Sequence, residues 1–491
     1  MIGLILFLYT IVLIVLFFYS FHSFILLYLH LRYRKHKEGN TNYKNLSEYP
    51  QVTIQLPVYN EKYVVRRLIE SVTMLEYPKD KMEIQILDDS DDETSEIISK
   101  IVLYKSAQGF DIKHIRREKR EGFKAGALQY GLERAKGEFI AIFDADFVPP
   151  HDFLLKLLPE FGDPYVGVVQ ARWGHLNQDE SLLTKSQAIS LDNHFINEQG
   201  LRSCAGFFIN FNGTCGIWRK SAIIDGGGWS GDTLAEDLDL SYRIQLKGWR
   251  IKYREDVVVP GELPDDVDSF RIQQNRWAKG TFQVGMKLLK KVLKSDLKLM
   301  TKYEAIVHLT CHINFVAMFL MGLLSFPIIF FKVERVVSEG YYNFISLFTI
   351  GAFGYPLLFL ISQKSIYSDY KRRIIYILGT IGYSMGLSIS NTKALLEAVL
   401  NKNIIFVRTP KSGGTRHKYS SKGNSLIPLL EIAFGLYIFF TFLYAVANEQ
   451  YAISPFLFIY GFGFLNLGFS SIKDRFVLLK HQEVLCSREN S

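Results

Sequence analysis

Cysteine is scarce in this chain. The four thiols, Cys204, Cys215, Cys311 and Cys486, stand apart, with neither a CxxC pair nor a close metal-ligand spacing. They offer no zinc motif and point, if anywhere, to a reducing compartment. The signature of a cleaved leader is also missing. Ile2 to Leu31 is almost purely apolar, but its basic residues, Arg32, Arg34, Lys35 and Lys37, follow the run instead of preceding it. Such a segment reads as a retained anchor, crossing from outside to inside and leaving the next domain in the cytoplasm. No module interleaves basic and aromatic residues, so the net charge of +8 does not argue for nucleic acid. The lysines and arginines gather beside apolar runs instead, as the positive-inside rule and anionic headgroups predict.

Aromatic and apolar residues are abundant. Phe and Tyr number 38 and 27 in 491 residues, and mean hydropathy is +0.08. That length accommodates a catalytic core plus a membrane region. After the anchor (1–37) and a polar linker (38–50), the pattern turns to α/β. Val52–Leu56, Met82–Leu87, Ile112–Arg116 and Phe139–Phe143 read as strands, the first ending at Pro57. Helical spacing follows over Glu61–Leu75, Thr94–Tyr104 and Lys124–Ala135. This alternation predicts a mostly parallel sheet covered on both faces, with ligands beyond the carboxyl ends of its strands.

Acidic residues fall at those ends. Asp144-Ala145-Asp146 closes the Phe139–Phe143 strand, and two acceptor-only side chains there suit a hard divalent ion that shares phosphate oxygens. Asp89 ends an earlier strand and could accept hydrogen bonds from a base or ribose. Asp91 and Asp92 read as a solvated turn. Lys124 opens a helix, where its ammonium and the backbone N–H groups suit a phosphate. Glu236-Asp237 follows the Gly-rich turn Gly226–Gly231; Asp237 could take a proton from an attacking hydroxyl. A helix-start acidic pair is the plainer account of the same two residues. In Gln273-x-x-Arg276-Trp277, Arg276 can bind a diphosphate bidentately, while Gln273 and Trp277 can hold a sugar by hydrogen bonding and stacking.

Phe270–Leu299 is amphipathic and Lys-rich, which predicts a helix lying in the membrane surface. Apolar segments follow at 304–331, 342–362, 373–395, 425–446 and 451–470. The connections at 363–373 and 396–424 and the tail from 471 are basic and belong in the cytoplasm. Parity then requires one segment to be something other than a simple crossing. The 373–395 run, with Gly379, Gly382, Gly386, Ser388, Ser390, Asn391 and Lys393, is the expected broken or re-entrant one.

The ordered set Asp89, Asp144-Ala-Asp146, Ala235-Glu-Asp237 and Gln273-x-x-Arg276-Trp277 resembles the processive family 2 glycosyltransferases of the cellulose-synthase superfamily. Gln170-Ala-Arg-Trp173, Phe211-Asn-Gly-Thr214, Lys124-Ala-Gly-Ala-Leu128 and Glu262-Leu-Pro264 draw the resemblance toward the plant glucomannan (β-1,4-mannan) and xyloglucan-backbone synthases. It implies a GT-A type nucleotide-sugar-binding domain (38–269), fused to an α-helical transmembrane region with interfacial helices. The further divisions are 270–303 for the Gln-x-x-Arg-Trp helices, 304–395 for membrane helices, 396–424 for a gating-like loop, 425–470 for a hairpin and 471–491 for a tail.

By position, the resemblance assigns Asp89, Lys124, Asp144 and Arg276 to nucleotide and diphosphate, and Asp144 and Asp146 to Mg²⁺ or Mn²⁺. Asp237 becomes the base, with Glu236, Gln273, Arg276 and Trp277 in the catalytic set. Trp173, Asn212, Gly213, Thr214 and Trp277 edge the acceptor. Phe406-Val-Arg-Thr-Pro-Lys411 resembles the loop that closes over the donor in cellulose synthases, so Thr409 and Lys411 would contact the nucleotide sugar. Three departures accompany the likeness. Ala235 stands where the family usually has Thr, one span precedes the catalytic domain, as in the plant subgroup but against two in bacterial cellulose synthase, and only a short tail follows Ser470. With so short a tail, the cyclic-dinucleotide-sensing domain of bacterial cellulose synthases is not expected within this chain.

The implied activity is inverting, processive transfer from UDP-glucose or GDP-mannose into a β-1,4-glycan that is extruded across a cell (inner or plasma) membrane. The alternative is addition of a single hexose to a lipid. The expected partners are the nucleotide sugar, the growing glycan or glycolipid acceptor and the bilayer. The sequence assigns neither the sugar nor an oligomeric state.

Overall fold

The computed structural model describes residues 1–37, 48–400, 406–411, 413–414 and 426–489. Most of the linker expected at 38–50 and most of the loop expected at 396–424 lie outside the described residues.

Seven strands form one sheet in the order β3-β2-β1-β4-β6-β5-β7: β1 (Val52–Val58), β2 (Met82–Asp88), β3 (Asp111–Arg116), β4 (Phe139–Ile142), β5 (Val166–His175), β6 (Gly216–Arg219) and β7 (Arg250–Gly261). Parallel pairing joins β1–β4, and β5 also runs parallel to β7. Only β6 is reversed, antiparallel to β4 and β5. The central strands β1, β2 and β4 are buried almost throughout, as continuous apolar runs covered on both faces should be.

β1 does not stop at Pro57 but continues through it to Val58, because β4 pairs with β1 only as far as Gln55. Gln55 O faces β4, accepting from Phe143 N, and Val58 O faces β2, accepting from Asp89 N. Alternation therefore turns the Pro57 nitrogen to the side where no ladder bond is left to lose.

Several helices position the site: α1 (Ile2–Lys37), α2 (Val65–Thr73), α3 (Thr94–Ala107), α4 (Phe123–Leu132), α5 (Leu182–Asn193) and α6 (Glu236–Gln245). Next comes α7 (Val267–Lys294), which starts three residues before the expected Phe270 because Asp266 caps it, its side chain accepting from Ser269 N at 2.8 Å. Its lysines do not all face lipid. Lys287 pairs with Asp232 and Asp239, and Lys279 with Glu397.

The apolar region then runs through α8 (Leu299–Thr310), α9 (Ile313–Val333), α10 (Gly354–Ile366), α11 (Tyr370–Gly386), α12 (Ser388–Leu400), α13 (Leu426–Ala447) and α14 (Ser454–Glu489). The segment expected from 304 begins later. Glu304 on α8 is buried against Arg202 (3.1 Å) and His22 (3.0 Å), and the long apolar helix starts only at Ile313.

Among the described residues, five helices are long and apolar enough to cross a membrane: Ile2–Tyr33, Ile313–Val333, Glu339–Ile366, Leu426–Ala447 and Ser454–Phe476. This is a multi-pass membrane protein. Over the 373–395 region, α11 and α12 form a pair bent by 41°. α11 meets α14 glycine to glycine: a Cβ on Gly463 would lie 2.0 Å from Gly382 O, so only small residues allow this crossing.

Candidate active site

The strand ends converge as an open parallel sheet requires. Asp144 and Asp146 follow β4, and each carboxylate meets a lysine. Lys124, in the first turn of α4, reaches Asp144 Oδ1 at 2.6 Å and donates to Gly213 O at 2.9 Å. Lys411 reaches Asp146 Oδ2 at 2.7 Å and also donates to Glu262 O. Asp89, one residue past β2, is gripped from two sides of its carboxylate by Arg117, with Nε to Oδ1 at 2.9 Å. Among the described residues, no three His, Cys, Asp or Glu side chains converge as a complete metal-ligand set. Two adjacent, lysine-compensated carboxylates nevertheless fit a hard ion that takes its other ligands from a diphosphate.

Glu236 and Asp237 open α6, where the exposed N–H groups favour negative charge. Asp237 Oδ1 accepts from Leu238 N at 2.8 Å. Burial, reinforced by the Glu236 carboxylate, pushes its pKa up to about 7, against the opposing pull of Lys124. The reverse holds for Lys124. Burial works against its charge, but Asp144 and Glu236 outweigh that and hold its pKa above the ordinary value. Gly213 closes the gap between them, at φ +80° and with space for no side chain: a Cβ there would meet Asp237 Oδ2 at 3.0 Å.

Gln273, Arg276 and Trp277 share the second and third turns of α7 and face the same space. The Arg276 guanidinium lies 4.7 Å from the Phe406 ring centroid, and Phe406 stacks on Phe123 at 6.0 Å. Phe406 begins a short described segment laid across the cleft. Arg408 pairs with both oxygens of Glu61 (2.9 and 3.0 Å), and Thr409 is buried with its hydroxyl unpartnered. Together these groups line a cavity of about 860 Å³. It runs from Asp89, Lys124, Asp144 and Asp146 past Asp237, Trp173 and Trp277 to Tyr9 on α1, Met318 on α9 and Tyr460 on α14.

Residues 53–227 match the family model described as Glycosyl transferase family 2. Over those residues the chain is similar to the family 2 glycosyl transferases. It is 41% identical over 254 residues to glucomannan 4-β-mannosyltransferase 2 of Arabidopsis thaliana, covering 51% of this chain and 48% of that one. Against glucomannan 4-β-mannosyltransferase 1 of Cyamopsis tetragonoloba the identity is 42% over 251 residues, 50% of this chain and 48% of the relative. The chain thus spans about half the length of the curated relatives it matches. A mannosyltransferase from Pyrobaculum calidifontis, solved in complex with GDP-Man and Mn²⁺, superposes with a TM-score of 0.55 at 20% identity. That alignment covers 81% of this chain and 100% of the other, so the fold, a GT-A-like domain joined to apolar helices, is shared.

Across the sheet domain and the membrane helices, most of the residues singled out in the sequence line this cavity. Thr214 does not. It is fully buried behind β4, where its hydroxyl accepts from Asp144 N at 2.8 Å. Asn212 does line the cavity, its side-chain oxygen 3.0 Å from His194 Nε2. Trp173 packs against Phe147 (5.0 Å) and Phe195 (5.3 Å) with its indole N–H unpartnered. Sequence reasoning missed Arg117 and Arg120, which stand beside Asp89. The Arg120 guanidinium carbon lies over Tyr59, 3.4 Å from its ring centroid. The basic run Arg116–Arg120, directly after a strand, is the signal that could have found them. Glu61, Arg408, His194 and Glu198 were also missed.

Proposed function

We propose that this protein is a metal-dependent, inverting hexosyltransferase that builds a β-1,4-linked glycan from a nucleotide sugar and passes it into its own membrane region. One observation carries the reading. A single cavity joins the carboxylates at the strand ends to residues on the membrane-spanning helices, so a sugar added at one end has a path toward the other. The likeness to two glucomannan 4-β-mannosyltransferases supports GDP-mannose over UDP-glucose as donor. The basic flanks of the apolar runs favour a cytoplasmic catalytic domain.

In this reading Asp89, with Arg117 beside it, receives the nucleoside. Arg120 and Arg276 add positive charge for the diphosphate. Mg²⁺ or Mn²⁺ held by Asp144 and Asp146 would neutralise charge on the departing diphosphate. Trp277 and Gln273, with Trp173, Asn212 and Gly213, hold the acceptor sugar. Asp237 takes the proton from its 4-hydroxyl as that oxygen attacks the anomeric carbon, and a single displacement inverts the centre. Its raised pKa, about 7, suits a base that must accept a proton near neutrality. Lys124 holds Gly213 and Asp144 together and steadies the base electrostatically. Thr409 and Lys411 reach the donor from the segment crossing the cleft.

The test is direct. Purified, detergent-solubilised protein is incubated with Mg²⁺ or Mn²⁺ and radiolabelled GDP-mannose or UDP-glucose, with Asp237→Asn as control. Products are then sized and digested with linkage-specific glycanases. Long, glycanase-sensitive material from one donor, absent in the control, is the expected result. Label confined to an organic-extractable single-sugar lipid would overturn the polymer reading.

A further inference from the structure

Between α5 and Gly200 the helix widens into a π-helical turn, His194–Gln199, in which Gly200 N–H reaches back to Phe195 O. Such turns cost backbone regularity and concentrate at functional sites. This one carries two polar side chains into the cavity wall. His194 Nδ1 lies 2.9 Å from Glu198 Oε2, and His194 Nε2 lies 3.0 Å from Asn212 Oδ1. Asn212 adjoins Gly213, which lies against Asp237. A hydrogen-bonded chain thus leads from Glu198 almost to the base. The π-helical turn is itself held by inward-facing amides. Asn197 donates to Asn193 Oδ1 and to Leu358 O, both at 2.9 Å, and Gln199 donates to Asn210 O at 2.7 Å.

The surroundings select a ligand class. Glu198 Oε1 makes no hydrogen bond among the described residues, and its side chain is 24% exposed, toward the cavity. Burial opposes the Glu198 charge, but the His194 hydrogen bond and charge, with Arg202 behind, outweigh it and hold the carboxyl down to about 2. Burial keeps the neighbouring cavity-lining imidazole of His312 neutral, its pKa down to about 4. Phe195, on the same turn, is buried against the cavity-lining Trp173, their rings tilted by 44°. A fixed acceptor oxygen in a cavity that Trp173 also lines suits a neutral, hydroxyl-rich ring: hydroxyls donate to the carboxylate while the apolar face of the sugar lies on an aromatic ring.

We propose that His194 and Glu198 form a hydroxyl-binding subsite for a pyranose unit of the acceptor, with Glu198 Oε1 accepting from a sugar hydroxyl and His194 holding that carboxylate in register with Asn212. The proposal rests on the polymer-synthesis reading above and adds residues that determine acceptor binding without touching the donor. Glu198→Gln keeps the shape and removes the charge. His194→Gln removes the Nδ1 contact to Glu198.

The experiment uses the full chain in detergent, the donor that supports turnover, and β-1,4-linked cello- and manno-hexasaccharides as acceptors. Transfer to the hexasaccharide and donor hydrolysis by water are followed side by side. In Glu198→Gln the apparent KM for the hexasaccharide should rise about tenfold, the loss expected for one charged hydrogen bond. Donor KM and the hydrolysis rate should stay unchanged, and His194→Gln should show the same split more weakly. If Glu198→Gln yields no folded protein, Glu198→Asp, which keeps the charge and shortens its reach, is read by the same two assays.

An unchanged acceptor KM, or an equal fall in hydrolysis and transfer, overturns the subsite. Wild-type protein that hydrolyses donor but elongates neither hexasaccharide overturns the polymer reading, and with it the ligand assigned here.

Discussion

The two acidic pairs line the same cleft yet face opposite electrostatic conditions. Asp144 and Asp146 each contact a different lysine directly, Lys124 and Lys411, at 2.6 and 2.7 Å. Glu236 and Asp237 share Lys124, which approaches Glu236 no closer than 3.8 Å, and burial, with the Glu236 charge beside it, pushes the Asp237 pKa up to about 7 against that lysine's pull. A pair with matched counter-charges is ready to exchange them for another cation. A crowded, under-compensated pair is ready to accept a proton. Burial and the placing of the lysines, more than the carboxylates themselves, separate metal ligand from base.

The strongest way to break that comparison is at Asp237. Asp237→Asn removes the proton acceptor while keeping shape, and turnover should fall about 10³-fold with nucleotide binding retained. A variant still active within tenfold would make another group the base. Next comes Asp146→Asn, which leaves Lys411 without its carboxylate. We expect about a 10²-fold loss in kcat/KM and a weaker dependence on Mn²⁺ concentration, measured by nucleotide binding titrated with the metal as well as by turnover.

Lys124 sharpens the contrast, because it touches both pairs. For the wild type the sign is simple. The base acts deprotonated, so the rate should fall with a one-proton slope as the pH drops through about 7. Lys124 holds the Asp237 pKa down, so Lys124→Met should move that acidic limb to higher pH. A limb that does not move would mean that Lys124 acts only on Asp144 and the diphosphate.

What could be read in advance follows from how local each signal is. Asp144-x-Asp146 was legible because an apolar strand points it at the ligand edge, and Gln273, Arg276 and Trp277 because one helix spaces them. β6 was not: four residues show no period, and its reversal depends on what β4 and β5 leave unpaired. The Glu61–Arg408 pair joins residues 347 apart, and neither is remarkable in its own neighbourhood. Thr214 misled in the opposite direction. The Asn-Gly-Thr phrase suggested three residues facing a sugar, but alternation along the chain turns the third inward.

The segment from Phe406 to Lys411 offers a smaller test of the same principle. Arg408→Ala removes both hydrogen bonds to Glu61 but leaves Lys411 on Asp146. A partly buried, charge-assisted pair of this kind suggests about a tenfold rise in donor KM, with kcat nearly unchanged. An equal loss in kcat would mean that Arg408 also acts on the transfer step.

Thr214 should give the smallest effect, and its pattern is the informative part. Its hydroxyl accepts from Asp144 N behind β4, fixing the backbone from which the carboxylate projects. Thr214→Val keeps the volume and leaves that N–H unpaired, a cost of about 1 kcal/mol in stability, readable as a lowered Tm. If Thr214 serves Asp144, the loss of activity should be a few-fold, partly restored by raising Mn²⁺, with the hexasaccharide KM unmoved. If Thr214 met the acceptor, the acceptor KM would rise and metal would restore nothing. The first pattern keeps Thr214 with the lysine-matched pair, and the second moves it to the acceptor side of the cleft.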